Sequence, residues 1–130
     1  MGAIMGSIHF EGAGKIPGRE VSAFVHRLSK ASGLPDKTLA QSVFMSEALL
    51  NRLAAGRADS VRAQTIQPLK RVATLIEEAL DTLTPEGARA WLVTPNPYLH
   101  DVPPIQCLRS DKELEKVLAL LAAMRHGYPA

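Results

Sequence analysis

Apolar residues recur along this chain at spacings of three and four, with little alternation of period two, which predicts helices rather than strands. Val21, Phe24, Val25 and Leu28 form one such face. Gly33 stands where a left-handed helix end belongs and Pro35 blocks continuation, so a helix is predicted over residues 21–32. Asp36 is a suitable N-cap for a second helix reaching about Phe44, with Leu39, Ala40 and Val43 inward. Ser46 caps a third, with Leu49, Leu50 and Leu53 inward and Gly56 ending it. Thr65 is expected to cap the longest helix, with Pro68 in its first turn and a stripe of Leu69, Val72, Ile76, Ala79, Leu80 and Leu83. Thr84-Pro85-Glu86 combines a capping hydroxyl, a proline at the first helical position and an acid near the positive end of the helix dipole. Pro104 to Leu108 predicts one short helical turn. Ser110 and Glu113 have capping-box spacing ahead of Leu114, Val117, Leu118, Leu121 and Met124.

No strand pattern competes with this after residue 20, so the expected fold is all-α. Residues 1–18 carry Gly2, Gly6, Gly12, Gly14 and Gly18 and read as a flexible arm; a short strand over Ile8-His9-Phe10 would need a neighbour to pair with. The expected organisation is this arm, a helix-turn-helix region over residues 19–62, a connecting helix over 63–83 and a small helical lobe over 84–130.

At 130 residues the chain suits one domain, or two small lobes sharing a core. Its net charge of +2 is unevenly spread. Between Arg19 and Arg62 seven bases face four acids, whereas from Thr84 onward five face five, so a weakly basic half precedes a neutral one. No apolar run approaches the roughly 20 residues of a membrane span, and no secretory signal pattern is present, so a cytoplasmic location is expected. Cys107 is the sole cysteine and reads as a half-buried thiol; His9, His26, His100 and His126 lie apart from any paired ligand, so no metal or other cofactor is expected. The chain has no glycine-rich phosphate loop and no nucleophile with a plausible base, and Glu77-Glu78 reads as a solvated face, which argues against an enzyme.

The span Asp36 to Ala55 lies on the twenty-residue helix-turn-helix template of phage-repressor-like regulators and resembles the Xre type. Leu39, Val43, Met45, Leu50 and Leu53 fill the apolar positions, and Ala40 supplies the small residue where the helices cross. The turn position that usually holds glycine is Phe44, an aromatic for which a left-handed backbone is costly. If the motif reads DNA, Arg52 can fork onto guanine, Asn51 onto adenine and Glu47 onto cytosine, while Arg57 and Arg62 hold phosphates. The other reading is a three-helix packing unit with solvated polar residues.

The last third carries a more distinctive pattern. Ala90-Trp91-Leu92 ends a predicted helix, Thr94-Pro95-Asn96-Pro97 makes a stiff bend that holds Thr94 and Asn96 extended, and Leu99, Pro104-Ile105-Gln106-Cys107-Leu108, Val117 to Met124 and Gly127-Tyr128 follow in order. This succession resembles the toxin-binding domain of Xre/MbcA/ParS-type antitoxins over residues 84–130, with one departure at Val102-Pro103-Pro104, where the family usually has a single proline. The resemblance implies a type II antitoxin that binds and silences a RES-domain toxin, an enzyme that consumes NAD, with the antitoxin's end blocking the toxin's active site. It implies contact roles for Trp91, Asn96, Pro97, Tyr98 and Leu99, and a blocking tail of Arg125, Tyr128 and Ala130. It also implies an operator-DNA partner and a homodimer or a larger hetero-oligomer with the toxin. Trp91 and Leu99 equally suit a core position. A stand-alone helix-turn-helix regulator whose C-terminal half dimerises is the alternative.

Overall fold

A computed structural model describes residues 14–127, and six helices account for most of them. Strand β1 (Lys15–Pro17) precedes α1 (Gly18–Ser32), α2 (Asp36–Ser42) and α3 (Glu47–Ala54); strand β2 (Ser60–Arg62) leads into α4 (Ala63–Thr82). Then come α5 (Pro85–Val93), 3-10 turns at Pro97–Leu99 and Pro104–Gln106, and α6 (Asp111–Arg125). The all-α expectation holds, with a small two-stranded ribbon added to it.

The ribbon corrects the sequence reading at two points. Lys15–Pro17, placed at the end of the arm, pairs antiparallel with Ser60–Arg62, so a strand does occur after residue 20. Ile16 lies opposite Val61, and both are buried against the helices. The ribbon also moves the start of α4. Thr65 is not its cap: the helix begins at Ala63, whose amide donates to the carbonyl of Gly14 across the ribbon at 3.0 Å. Pro68 consequently falls in the second turn, where it removes a helical amide that would have bonded the carbonyl of Gln64. Gly18 is required by proximity, because a Cβ there would sit 1.7 Å from the carbonyl oxygen of Ala58.

Other local expectations hold where a short-range device sets them. Gly33 ends α1 in the left-handed region, at φ 64°, and its amide donates to the carbonyl of Ser29. Ser46, Thr84 and Ser110 cap α3, α5 and α6, their hydroxyl oxygens accepting from the amides of Leu49, Gly87 and Glu113 at 3.1, 3.1 and 3.2 Å. The carboxylate of Glu113 reaches back to the amide of Arg109 at 2.8 Å, so the capping box closes one residue earlier than the usual pairing. Asp36 is corrected from cap to first helical residue, since Pro35 holds the cap position; its carboxylate instead accepts from the hydroxyl of Ser29 at 3.2 Å.

One continuous core runs from Ile16 to Leu121. The buried side of α4, with Leu69, Val72, Leu75, Ile76 and Ala79, packs on α1 and β2 on one side and on α5 and α6 on the other. Val117 and Leu121 are buried on α6, and Leu114, Leu118 and Met124 pack half-buried beside them. Burial of this kind, at about 25 cal/mol per Å² of apolar surface, is the main stabilising term for a helical domain this size. No helix among the described residues is long and apolar enough to cross a membrane.

Candidate functional site

The segment after α5 is a knot tied by Asn96. Its side-chain oxygen accepts from the amide of Tyr98 at 2.9 Å, its carbonyl accepts from the amides of Leu99 and Asp101, each at 2.9 Å, and its own amide donates to the carbonyl of Val102 at 3.3 Å. The two prolines act as the sequence rule requires, leaving Thr94 (φ −96°, ψ 132°) and Asn96 (φ −116°, ψ 123°) extended. Two consecutive left-handed residues, His100 and Asp101, then turn the chain back so that Asn96 and Val102 form a bridge. The departure at Val102-Pro103-Pro104 is absorbed here, because the second proline is buried and opens the 3-10 turn Pro104–Gln106.

The knot sorts the residues expected to make contacts by exposure. Asn96, only 5 % exposed, and Leu99 face inward: the first holds the bend and the second fills the core. Tyr98, 51 % exposed, Pro97 and Val93, 41 % exposed, face outward on the same bend. Trp91 is half-buried against the core, and its Nε1 has no hydrogen-bond partner among the described residues. Val93 was not singled out by the sequence; the signal was its place directly after Trp91-Leu92, at the end of the helix and beside the bend. Arg125 is held at home, its guanidinium donating to the hydroxyl of Thr82 at 2.6 Å and the carboxylate of Asp81 at 3.2 Å, with Glu78 at 3.5 Å. Glu78 is therefore an ion-pair partner as well as a surface residue. Tyr128 and Ala130 lie outside the described residues.

Between the bend and α6 lies an open cleft of about 220 Å³. Leu99, Val102 and Val117 supply its apolar lining, and Arg109 and Lys116 are the cations on it. Cys107 also lines it. Burial pushes the thiol above its usual range, the carboxylate of Glu113 adds to this, and Arg109 and Lys116 pull the other way.

The second surface belongs to α2 and α3. The helices are joined by the turn Val43–Ser46, and Ala40 is buried as the template requires. Phe44 adopts φ 55°, so the aromatic does occupy the left-handed turn position. Its ring is 71 % exposed and lies under the guanidinium of Arg109, 5.5 Å from the ring centre. Glu47, Ala48, Asn51 and Arg52 are exposed on α3 and Ala55 at its C-cap, and Arg57 joins Ala48, Asn51, Arg52 and Ala55 around a shallow depression. Arg62 is also exposed, but on the ribbon rather than on the helix. Leu49, expected inward, is partly on the surface. It lies one turn before Leu53 at the edge of the buried stripe, in the first turn of α3.

The described residues thus form a helical bundle that presents two surfaces, the exposed side of α3 and a bend with outward-facing apolar groups. The chain belongs to the Xre/MbcA/ParS antitoxin family: residues 36–127 match the family model described as the antitoxin Xre/MbcA/ParS C-terminal toxin-binding domain. The match extends upstream of the bend to take in α2, α3 and α4. A chain in the crystal structure of the M. tuberculosis MbcT–MbcA toxin–antitoxin complex is similar to it, at 26% identity and a TM-score of 0.66, over 82% of this chain and 94% of that one. No curated protein sequence shows significant similarity.

Proposed function

We propose that this antitoxin neutralises a RES-domain, NAD-consuming toxin by direct binding, and that it represses its own operon by binding operator DNA. The observation that carries the first part is the outward placement of Tyr98, Pro97 and Val93 on a bend fixed by Asn96. Exposed aromatic and aliphatic groups on a pre-ordered backbone bind a partner at little entropic cost. Trp91, Asn96 and Leu99 support that surface from behind, and Arg125, Tyr128 and the carboxylate of Ala130 form the tail that occludes the toxin. Residues 84–130 thus act on the toxin, 19–62 on DNA, and 63–83 join them. On the DNA side, Glu47, Asn51 and Arg52 read bases, and Arg57 and Arg62 hold phosphates. The working assembly is a homodimer or a larger hetero-oligomer with the toxin, in the cytoplasm, with no catalytic role for the antitoxin itself.

Co-expression with a RES-domain toxin, taken from a neighbouring gene where one encodes it, tests the reading. Growth and cellular NAD should both be restored, Tyr98→Ala should weaken the rescue, and truncation after Gly127 should weaken it further. Full rescue by the truncated chain removes the tail from the mechanism. No rescue by the intact chain, with operator binding retained, would leave a stand-alone transcription regulator. For the DNA part, Arg52→Ala should reduce operator retention at physiological salt.

A further inference from the structure

We infer that the two-stranded ribbon is a phosphate clamp, in which Lys15 and Arg62 together grip the backbone of a DNA duplex lying along α3. The inference rests on the DNA-binding reading above and adds to it a second element and a residue, Lys15, from outside the helix-turn-helix.

The register carries the argument. Lys15 stands directly opposite Arg62, between the bridges made by the amide of Ala63 to Gly14 and the amide of Gly18 to Asp59. Those flanking hydrogen bonds make Lys15 and Arg62 the close, non-hydrogen-bonded pair of the ladder, with Cα atoms about 4.5 Å apart. Ile16 and Val61 are buried, so alternation puts Lys15 and Arg62 on the outer face. Neither forms an ion pair with another described residue. Like charges placed directly opposite on a ladder destabilise it, and an anion shared between them removes that cost. The nearest carboxylate in sequence, Asp59, lies one residue before β2 and gives its backbone carbonyl to Gly18.

Position supplies the rest. Arg57 borders the depression on the exposed face of α3, and Arg62 follows it by only five positions, a reach of at most about 17 Å along an extended chain. A duplex contacting Asn51 and Arg52 would therefore carry a phosphate strand within range of the ribbon. A phosphate suits the pair because it accepts from the forked guanidinium and the ammonium at once.

Backbone contacts carry no sequence information, so a mixed-sequence 24-base-pair DNA duplex is a sufficient probe, with affinity measured by fluorescence anisotropy from 50 to 200 mM salt. Each phosphate contact contributes about −0.9 to the slope of log affinity against log salt. Lys15→Gln/Arg62→Gln should flatten the slope by about 1.8, so that the intact protein loses roughly tenfold more affinity than the variant across that range. Lys15→Arg/Arg62→Lys should keep the slope, and circular dichroism should be the same for all three. An unchanged slope in the glutamine variant, with wild-type binding intact, overturns the clamp alone. Absence of any duplex binding by the intact protein overturns both readings, and tighter binding to an RNA duplex of the same sequence would show that the ligand is misassigned.

Discussion

Phe44 allows a clean test of how the helix-turn-helix bend is held. Its φ of 55° places a bulky L-residue in the left-handed region, while its ring stays 71 % exposed with Arg109 over one face. Replacing it with alanine or with glycine removes the same ring and the same contact with Arg109, worth about 0.5 to 1 kcal/mol at an exposed site. The two variants therefore differ only in backbone. A side chain in the left-handed region costs roughly 1 to 2 kcal/mol. Glycine avoids that cost but loses about 0.5 to 1 kcal/mol to the greater freedom of its unfolded chain. Phe44→Gly should thus be more stable than Phe44→Ala by about 0.5 to 1 kcal/mol, or roughly 2 to 4 °C in Tm for a chain of this length. Thermal and urea unfolding of the pair give the number directly. An alanine variant as stable as the glycine one would mean that residue 44 does not hold a left-handed backbone in solution, and the strained-turn account would fall.

Leu92→Ala removes a fully buried side chain between α5 and the core and should lower stability by about 2 to 5 kcal/mol with an unchanged urea m-value. Trp91→Phe deletes an indole N–H that has no partner among the described residues, so the relief of an unsatisfied donor, about 1 to 3 kcal/mol, should offset most of the lost ring area; Trp91→Ala deletes the same N–H but also the packing of an entire ring, and should be clearly less stable in the same unfolding assay. A large loss of stability in Trp91→Phe relative to the intact protein would mean that the indole N–H is satisfied. Cys107 should react with iodoacetamide more slowly than a free peptide thiol at pH 8, with its rate profile displaced to higher pH. Because the folded state holds that proton more tightly than the unfolded chain does, stability should fall as pH rises through the ordinary thiol range, and Cys107→Ser should remove that pH dependence.

What was legible in the sequence was whatever a few neighbouring residues decide. Ser46, Thr84 and Ser110 read correctly as caps because each hydroxyl accepts from an amide three residues on. The prolines flanking Asn96 read correctly because their effect on the preceding residue is steric and local. The ribbon was not legible, since Lys15–Pro17 and Ser60–Arg62 are three residues each and owe their structure to a partner far along the chain. The same distant pairing hid the true start of α4, whose first amide is satisfied by Gly14 rather than by any residue near it. At the bend, which side chains turn outward was not legible: the oxygen of Asn96 is spent on the amide of Tyr98, and Pro97 and Tyr98 rather than Asn96 and Leu99 reach the surface.

The uninterrupted core beneath both surfaces has a consequence for turnover. Since α4 lends one buried side to the ribbon and α1 and the other to α5 and α6, opening either end strips cover from its opposite end. A protease that catches the chain in such an opened state would remove the exposed side of α3 and the bend after α5 together. Loss would then be all-or-none, with no folded fragment keeping one of the two surfaces alone.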